Sequence, residues 1–254
     1  MEMPRNRFKA ALKDRRRQIG IWSGIADGLV TEMLAGCGYD WILLDCEHSP
    51  IDPIRILPLL QAAAPYDVSP IVRPSSLDVA EIKRLLDLGA QTILVPYVQT
   101  VDEATLAVRA VAYPPEGIRG VAGSTRASRF GAVAGYHATA RDEICLLIQA
   151  ETVAALDRLE DLAQVPGVDG VFIGPSDVAA SMGYPGQPSH PEVVAACRDA
   201  VERLGRIGVP SGFLSTDEAV LAEIRDAGVT FLAVGVDAGL LRGAALARRK
   251  AFPS

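Results

Sequence analysis

Residues 70–96, PIVRPSSLDVAEIKRLLDLGAQTILVP, hold two short apolar runs separated by a stretch of different rhythm. The outer runs, 70–74 and 92–96, are continuous in polarity, as strands buried on both faces are. The middle stretch repeats apolar residues at helical spacing through Leu77, Ile82, Leu85 and Leu86, and Gly89 supplies a helix C-terminus. Strand, helix and strand in so short a span form one unit of a parallel sheet. The rhythm continues outward, with strand-like runs at 18–24, 41–45, 144–151, 167–174, 209–214 and 230–236. Amphipathic stretches such as TVDEATLAVRAVA, TVAALDRLEDLA, PEVVAACRDAVERLGRIG and STDEAVLAEIRDAG lie between most of them. Eight runs with interposed helices in 254 residues predict a (β/α)8 barrel, one domain spanning residues 1–254. A doubly wound open sheet is the alternative, but no GxGxxG follows the first strand.

Composition narrows the function. A net charge of −6 argues against nucleic acid or an anionic membrane as the main partner. The one basic segment, RNRFKAALKDRRR at 5–17, places Phe8, Ala11 and Leu12 at helical spacing and predicts a surface helix. No signal-peptide core or long apolar run is visible, so a soluble cytoplasmic protein is expected. Cys37, Cys46, Cys145 and Cys197 are widely spaced and read as small core residues in a reducing compartment.

A barrel of this kind carries function where its strands end. Those positions hold Asp45, Glu47 and His48 after the second run and Arg73 after the third. Gln149 and Glu151 follow at the fifth, and Gly174, Pro175, Ser176 and Asp177 at the sixth. Two aperiodic segments interrupt the rhythm. One, 113–135, contains Arg119, Arg126 and Arg129 and reads as a lid, binding loop or subunit contact; the other is the Gly/Pro-rich 174–191.

Several chemistries are excluded. The four lysines, Lys9, Lys13, Lys83 and Lys250, lie near the termini or within a helical pattern, which leaves no strand-end amine for a Schiff base. His48, His137 and His190 are too far apart for a zinc site of imidazoles, and no GxSxG elbow is present. Glu151 and Asp177 suit octahedral Mg²⁺ or Mn²⁺, although they could equally begin or cap helices. Arg73 could stabilise a developing enolate or simply pair with Asp45, and His48 could move a proton or be a satisfied loop residue.

The motifs WILLDCEHSP, IVRP, LLDLGAQTILVPYVQT, YPPEGIRGVAG with RASRFG, LLIQAET and GVDGVFIGPSDVAASMG occur in order from about 20 to 235. Together they strongly resemble the HpcH/HpaI aldolase family, whose members include 4-hydroxy-2-oxoheptanedioate and 2-keto-3-deoxy sugar-acid aldolases. The resemblance implies a divalent-metal-dependent pyruvate aldolase of the phosphoenolpyruvate/pyruvate barrel type, cleaving 4-hydroxy-2-oxo acids to pyruvate or hydroxypyruvate and an aldehyde. It implies Glu151 and Asp177 as ligands of Mg²⁺, Mn²⁺ or Co²⁺, and no organic cofactor. Arg73 matches the arginine on the keto oxygen, His48 the acid/base and Asp87 the aspartate orienting it. The amides of Ser176 and Asp177 match those taking the pyruvate carboxylate. Asp45 and Glu47 match residues around the metal's waters, and Gln149, Gly174 and Pro175 lie beside the substrate. Val121 and Leu214, with a neighbouring subunit, are expected to border the aldehyde. The resemblance also implies a homohexamer, a trimer of dimers, whose exchanged C-terminal helix could be AGLLRGAALARRKAF. An acyl-CoA lyase or decarboxylating synthase, or a non-catalytic sugar-acid-binding barrel, are the alternatives.

Overall fold

In a computed structural model that describes residues 1–252, eight parallel strands close into a barrel in sequence order, with β8 bonded to β1. The strands are β1 (Gln18–Ser23), β2 (Trp41–Asp45), β3 (Ser69–Arg73), β4 (Thr92–Val95), β5 (Cys145–Ala150), β6 (Gly170–Ile173), β7 (Ser211–Leu214) and β8 (Phe231–Val236). The helices are α1 (Arg7–Lys13), α2 (Gly28–Ala35), α3 (Pro53–Ala63), α4 (Val79–Asp87), α5 (Val101–Val111) and α6 (Tyr136–Glu143). They continue as α7 (Val153–Leu156), α8 (Leu159–Ala163), α9 (Pro175–Ser181), α10 (Pro191–Arg206), α11 (Glu218–Asp226) and α12 (Asp237–Lys250). All eight expected strands are present. The single helix expected from TVAALDRLEDLA is two short ones, and α6 was not anticipated. Among the described residues no helix is long and apolar enough to cross a membrane.

The continuous apolar runs reflect burial on both faces, and the period-2 geometry of each strand divides them. Ile42, Leu44, Val72, Ile93, Val95, Leu146 and Ile148 pack outward under the helices. Trp41, Leu43, Ile71, Leu94, Cys145, Leu147, Phe172 and Phe231 fill the interior. Continuing the inward alternation along β2, β3 and β5 reaches Asp45, Arg73 and Gln149. The side chains therefore turn from apolar to polar and charged along the inside of single strands, and the change marks the C-terminal end of the barrel.

The other end corrects the expectation for residues 5–17. Helix α1 is no surface helix: Phe8 is fully buried, and Ala11 and Leu12 nearly so. Its ring meets Trp41 and Phe231 edge-on, with centroids 6.2 and 5.5 Å away, closing the barrel floor. Two glycines make room for those rings, since a Cβ on Gly20 would lie 2.1 Å from Trp41 and one on Gly212 2.1 Å from Phe231. Lys9 is also buried, donating to the Ile144 carbonyl at 2.6 Å and lying 3.4 Å from Asp169. Burial pulls its pKa down against the pull of Asp169. Phe8→Ala should destabilise the fold by about 3–5 kcal/mol, read from the midpoint of denaturant unfolding. The cysteine expectation holds for Cys46, Cys145 and Cys197, whereas Cys37 is exposed.

Candidate active site

The register of β2 on β3 sets Asp45 opposite Arg73 at the mouth of the barrel. Arg73 Nε and Nη2 donate to the two Asp45 oxygens at 2.9 and 2.7 Å, a bidentate pair with both residues buried. Its Nη1 lies 2.6 Å from Glu47 Oε2 and donates to Gln149 Oε1 at 3.3 Å. The face of the guanidinium rests 4.8 Å from the Trp22 ring, whose indole N–H donates to Asp45 Oδ2 at 3.2 Å. Burial pushes the Asp45 carboxyl upward, but the hydrogen bonds and charge of Arg73 outweigh it and hold the pKa below the ordinary value. Asp45 Oδ1 also accepts from the amides of Glu47 (3.0 Å) and His48 (3.4 Å), so one carboxylate fixes both the guanidinium and the turn bearing His48.

Glu47 is less well served. Its Oε2 is buried and accepts no hydrogen bond despite its closeness to Arg73. Burial raises its pKa, opposed by Arg73 and His48 and reinforced by Asp45 and Asp177. His48 projects from the turn with its side chain 66% exposed and Nε2 3.8 Å from that oxygen.

The fifth and sixth strands build the facing wall. Glu151 Oε1 accepts the Tyr97 amide at 2.8 Å, and its other oxygen takes the Gln149 side-chain amide. Tyr97 reaches it from a left-handed backbone, with φ at 55°. Burial pushes the Glu151 carboxyl up to about 7, with Asp177 and Glu47 adding to the rise and Gln149 and Tyr97 opposing it. Gly174 cradles this carboxylate: a Cβ there would lie 2.3 Å from Glu151 Oε2 and 2.8 Å from its Cβ. Helix α9 then opens with no side-chain cap, leaving the amides of its first turn without a side-chain partner at residues Ser176 and Asp177, which line the cavity.

These groups surround one cavity of about 520 Å³, lined by Asp45, His48, Arg73, Gln149, Glu151, Gly174, Pro175, Ser176, Asp177 and Leu214, among others. Two expected residues are elsewhere. Asp87 ends α4, on the side where the chain enters β4, and accepts from Arg119 Nη2 at 2.7 Å. It therefore does not orient His48 within one chain. Val121 is 64% exposed on the 113–135 segment and does not line the cavity. None of that segment's arginines lines the cavity: Arg119 is fully buried against Tyr113, Arg126 donates to the Leu88 carbonyl at 2.7 Å, and Arg129 borders a separate cavity with Arg126.

The sequence reading missed Trp22, Ser189, Ser215, Thr216, Asp217 and Asp237, which line the same cavity. Trp22 and Asp237 stand at the ends of the first and eighth runs, so the strand-end rule could have found them. Asp237 joins those ends: its carboxylate accepts from Ser23 Oγ (2.9 Å) and from the amides of Gly24 (3.1 Å), Ile25 (2.9 Å) and Ala238 (2.7 Å). Ser189 belongs to the 174–191 excursion, which reaches the cavity again through Pro188 and Ser189.

The sequence model of the HpcH/HpaI aldolase/citrate lyase family matches residues 18–244. The chain belongs to this family. It is 59% identical to a hydroxypyruvate/pyruvate aldolase of Sagittula stellata over 98% of both chains. It is 51% identical to a 4-hydroxy-2-oxo-heptane-1,7-dioate aldolase of Klebsiella pneumoniae, over 96% of this chain and 93% of that one. The crystal structure of an HpcH/HpaI aldolase/citrate lyase family protein from Burkholderia cenocepacia superposes with a TM-score of 0.92 at 35% identity, over 97% of this chain and 99% of that one. The part matching the HpcH/HpaI family model begins at β1, so the floor helix α1 precedes it.

Proposed function

We propose that the chain is a carbon–carbon lyase, a divalent-metal-dependent aldolase that reversibly cleaves 4-hydroxy-2-oxo acids to pyruvate, or hydroxypyruvate, and an aldehyde. One observation carries the reading: a fixed, buried guanidinium faces the Glu151 and Asp177 carboxylates and two uncapped amides across one cavity. Family membership and the names of relatives at 51% and 59% identity support it.

The residues fit a hard cation. Glu151 is buried and held up to about 7, a state that an adjacent positive charge would relieve. Glu47 Oε2 is a buried acceptor without a hydrogen bond, suited to a water at such a centre. Among the described residues no three His, Cys, Asp or Glu side chains cluster as a closed metal site. Glu151 and Asp177 would thus supply two oxygens and leave the other positions to substrate and water, as Mg²⁺, Mn²⁺ or Co²⁺ require. Such an ion supplies a Lewis acid that polarises the 2-oxo group.

The chain's residues do the rest. The Ser176 and Asp177 amides receive the substrate carboxylate. His48 takes the proton of the C4 hydroxyl; C4–O becomes a carbonyl, the C3–C4 bond breaks, and its electron pair enters the enolate. Arg73 holds the enolate oxygen, oriented by Asp45, Gln149 and Trp22. C3 then regains a proton to give pyruvate. The exposed Leu240, Leu241 and Leu246 of α12 support assembly as a homohexamer, a trimer of dimers. If Asp87 orients His48, it does so from another copy, and Val121 would reach an aldehyde in the same way. A single barrel domain acting in the cytoplasm completes the reading.

The test is pyruvate release from a 4-hydroxy-2-oxo acid. EDTA should abolish it, Mg²⁺ or Mn²⁺ should restore it, and borohydride with pyruvate should leave the protein mass unchanged. Cation affinity should also tighten from pH 6 to 8, because Glu151 must lose a proton held up to about 7 before it can ligate. A pyruvyl-lysine adduct, or full activity in EDTA, would overturn the reading.

A further inference from the structure

The aldehyde half of the cavity has a chemical character that the pyruvate half does not require. Beyond Arg73 and Glu151 the opening is bordered by Ser189, Ser215, Thr216 and Asp217. Asp217 caps α11, its Oδ1 accepting the amides of Ala219 (3.0 Å) and Val220 (3.4 Å), and Ser189 borders the same opening. It is thereby fixed at the mouth as a carboxylate. The Ser215 hydroxyl accepts the Asp217 amide at 3.1 Å and keeps its own proton to donate.

Charge at this cavity is one-sided. Asp45, Glu151, Asp177, Asp217 and Asp237 line it against a single guanidinium, Arg73, and no lysine. Arg73 is already shared among Asp45, Glu47 and Gln149. His48, the other group there able to carry positive charge, lies 3.8 Å from Glu47. Of the three loop arginines, Arg119 pairs with Asp87, Arg126 donates to the Leu88 carbonyl, and Arg129 borders a different cavity beside Arg126 and Tyr136.

We infer that Asp217 sets the aldehyde preference, admitting neutral hydroxylated aldehydes and disfavouring those with a second carboxylate. The inference rests on the aldolase reading and deepens it. A carboxylate on the aldehyde would approach a fixed like charge, whereas hydroxyls would meet the Ser215 and Thr216 side chains and the Asp217 oxygens. A site built of hydrogen-bonding groups favours the substrate that satisfies them.

The experiment measures kcat/KM for condensation of pyruvate with glyceraldehyde and with succinic semialdehyde, the carboxylated aldehyde released by 4-hydroxy-2-oxoheptane-1,7-dioate. The Mn²⁺-loaded wild type should prefer glyceraldehyde. Asp217→Asn keeps a good helix cap while removing the charge. It should raise the succinic semialdehyde to glyceraldehyde ratio about 2- to 5-fold, the range of a screened charge pair. Higher KCl should raise the same ratio in the wild type, which checks the charge effect without any substitution. A wild type that takes succinic semialdehyde as well as glyceraldehyde overturns the inference alone, as does a ratio unmoved in both Asp217→Asn and high salt. No product from either aldehyde, together with no exchange of pyruvate methyl protons, overturns the aldolase reading and the inference with it.

Discussion

His48→Ala should lower kcat for cleavage by about 10²–10⁴, the usual contribution of a positioned acid or base. The side chain is well placed for that role. It stands at the edge of the cavity, open to solvent, on a turn that Asp45 anchors through the Glu47 and His48 amides. Its exposure also separates function from folding, because removing an exposed imidazole leaves no cavity and the unfolding midpoint should barely move. Substrate KM should change little, since the proton moves only in the chemical step. Stopped-flow detection of pyruvate release, with cation saturating, measures kcat directly. Turnover near the wild-type rate across pH 6–9 would remove His48 from the mechanism.

Arg73→Lys should cost about 10²–10³ in kcat, typical for the loss of one oxyanion donor. The structure explains why lysine cannot substitute. Arginine uses Nε and Nη2 on Asp45 while Nη1 turns toward Glu47, Gln149 and the cavity. A lysine ammonium is one compact point of charge and cannot grip Asp45 along an edge while offering a separate donor inward. It does keep a positive charge among buried carboxylates, which limits the damage to the fold. Exchange of pyruvate methyl protons with D₂O should fall in parallel, because it passes through the same enolate and needs no aldehyde. Cleavage lost with exchange at the wild-type rate would place Arg73 on the aldehyde side and refute its assignment to the oxyanion.

The strands were legible because burial on two faces leaves continuous apolar runs, and Asp45, Arg73 and Glu151 stood out as charges at their ends. Arg73's double engagement was half visible: pairing with Asp45 and serving the cavity are alternatives in the sequence, yet three nitrogens carrying five N–H groups on one planar group allow both. Helix α1 misled because its charges dominate the pattern, while Phe8, which decides its place, finds its partners on β2 and β8. The cavity mouth was opaque for another reason. Ser189 and Asp217 sit in loops with ordinary turn chemistry, and they meet at one cavity only through the tertiary fold. Asp87 comes from matching a motif, which says nothing of which copy supplies the residue, and Val121 is expected only together with a neighbouring subunit.

Asp237 also bears on how the barrel is completed. The hydrogen bond from Ser23 to Asp237 spans 214 positions of the chain, and the β1–β8 ladder that it terminates slips register between Gly20 and Trp22. Contacts so distant in sequence carry a large loop-closure entropy and depress folding rates. The seam between the first and last strands is the one that a chain emerging N-terminus first can form only after β8 is made. Trp22, which seats the guanidinium of Arg73, lies on that seam. A nascent chain stopped before β8 can already hold the Asp45–Arg73 pair, but the rim that orients it exists only once the ring is shut.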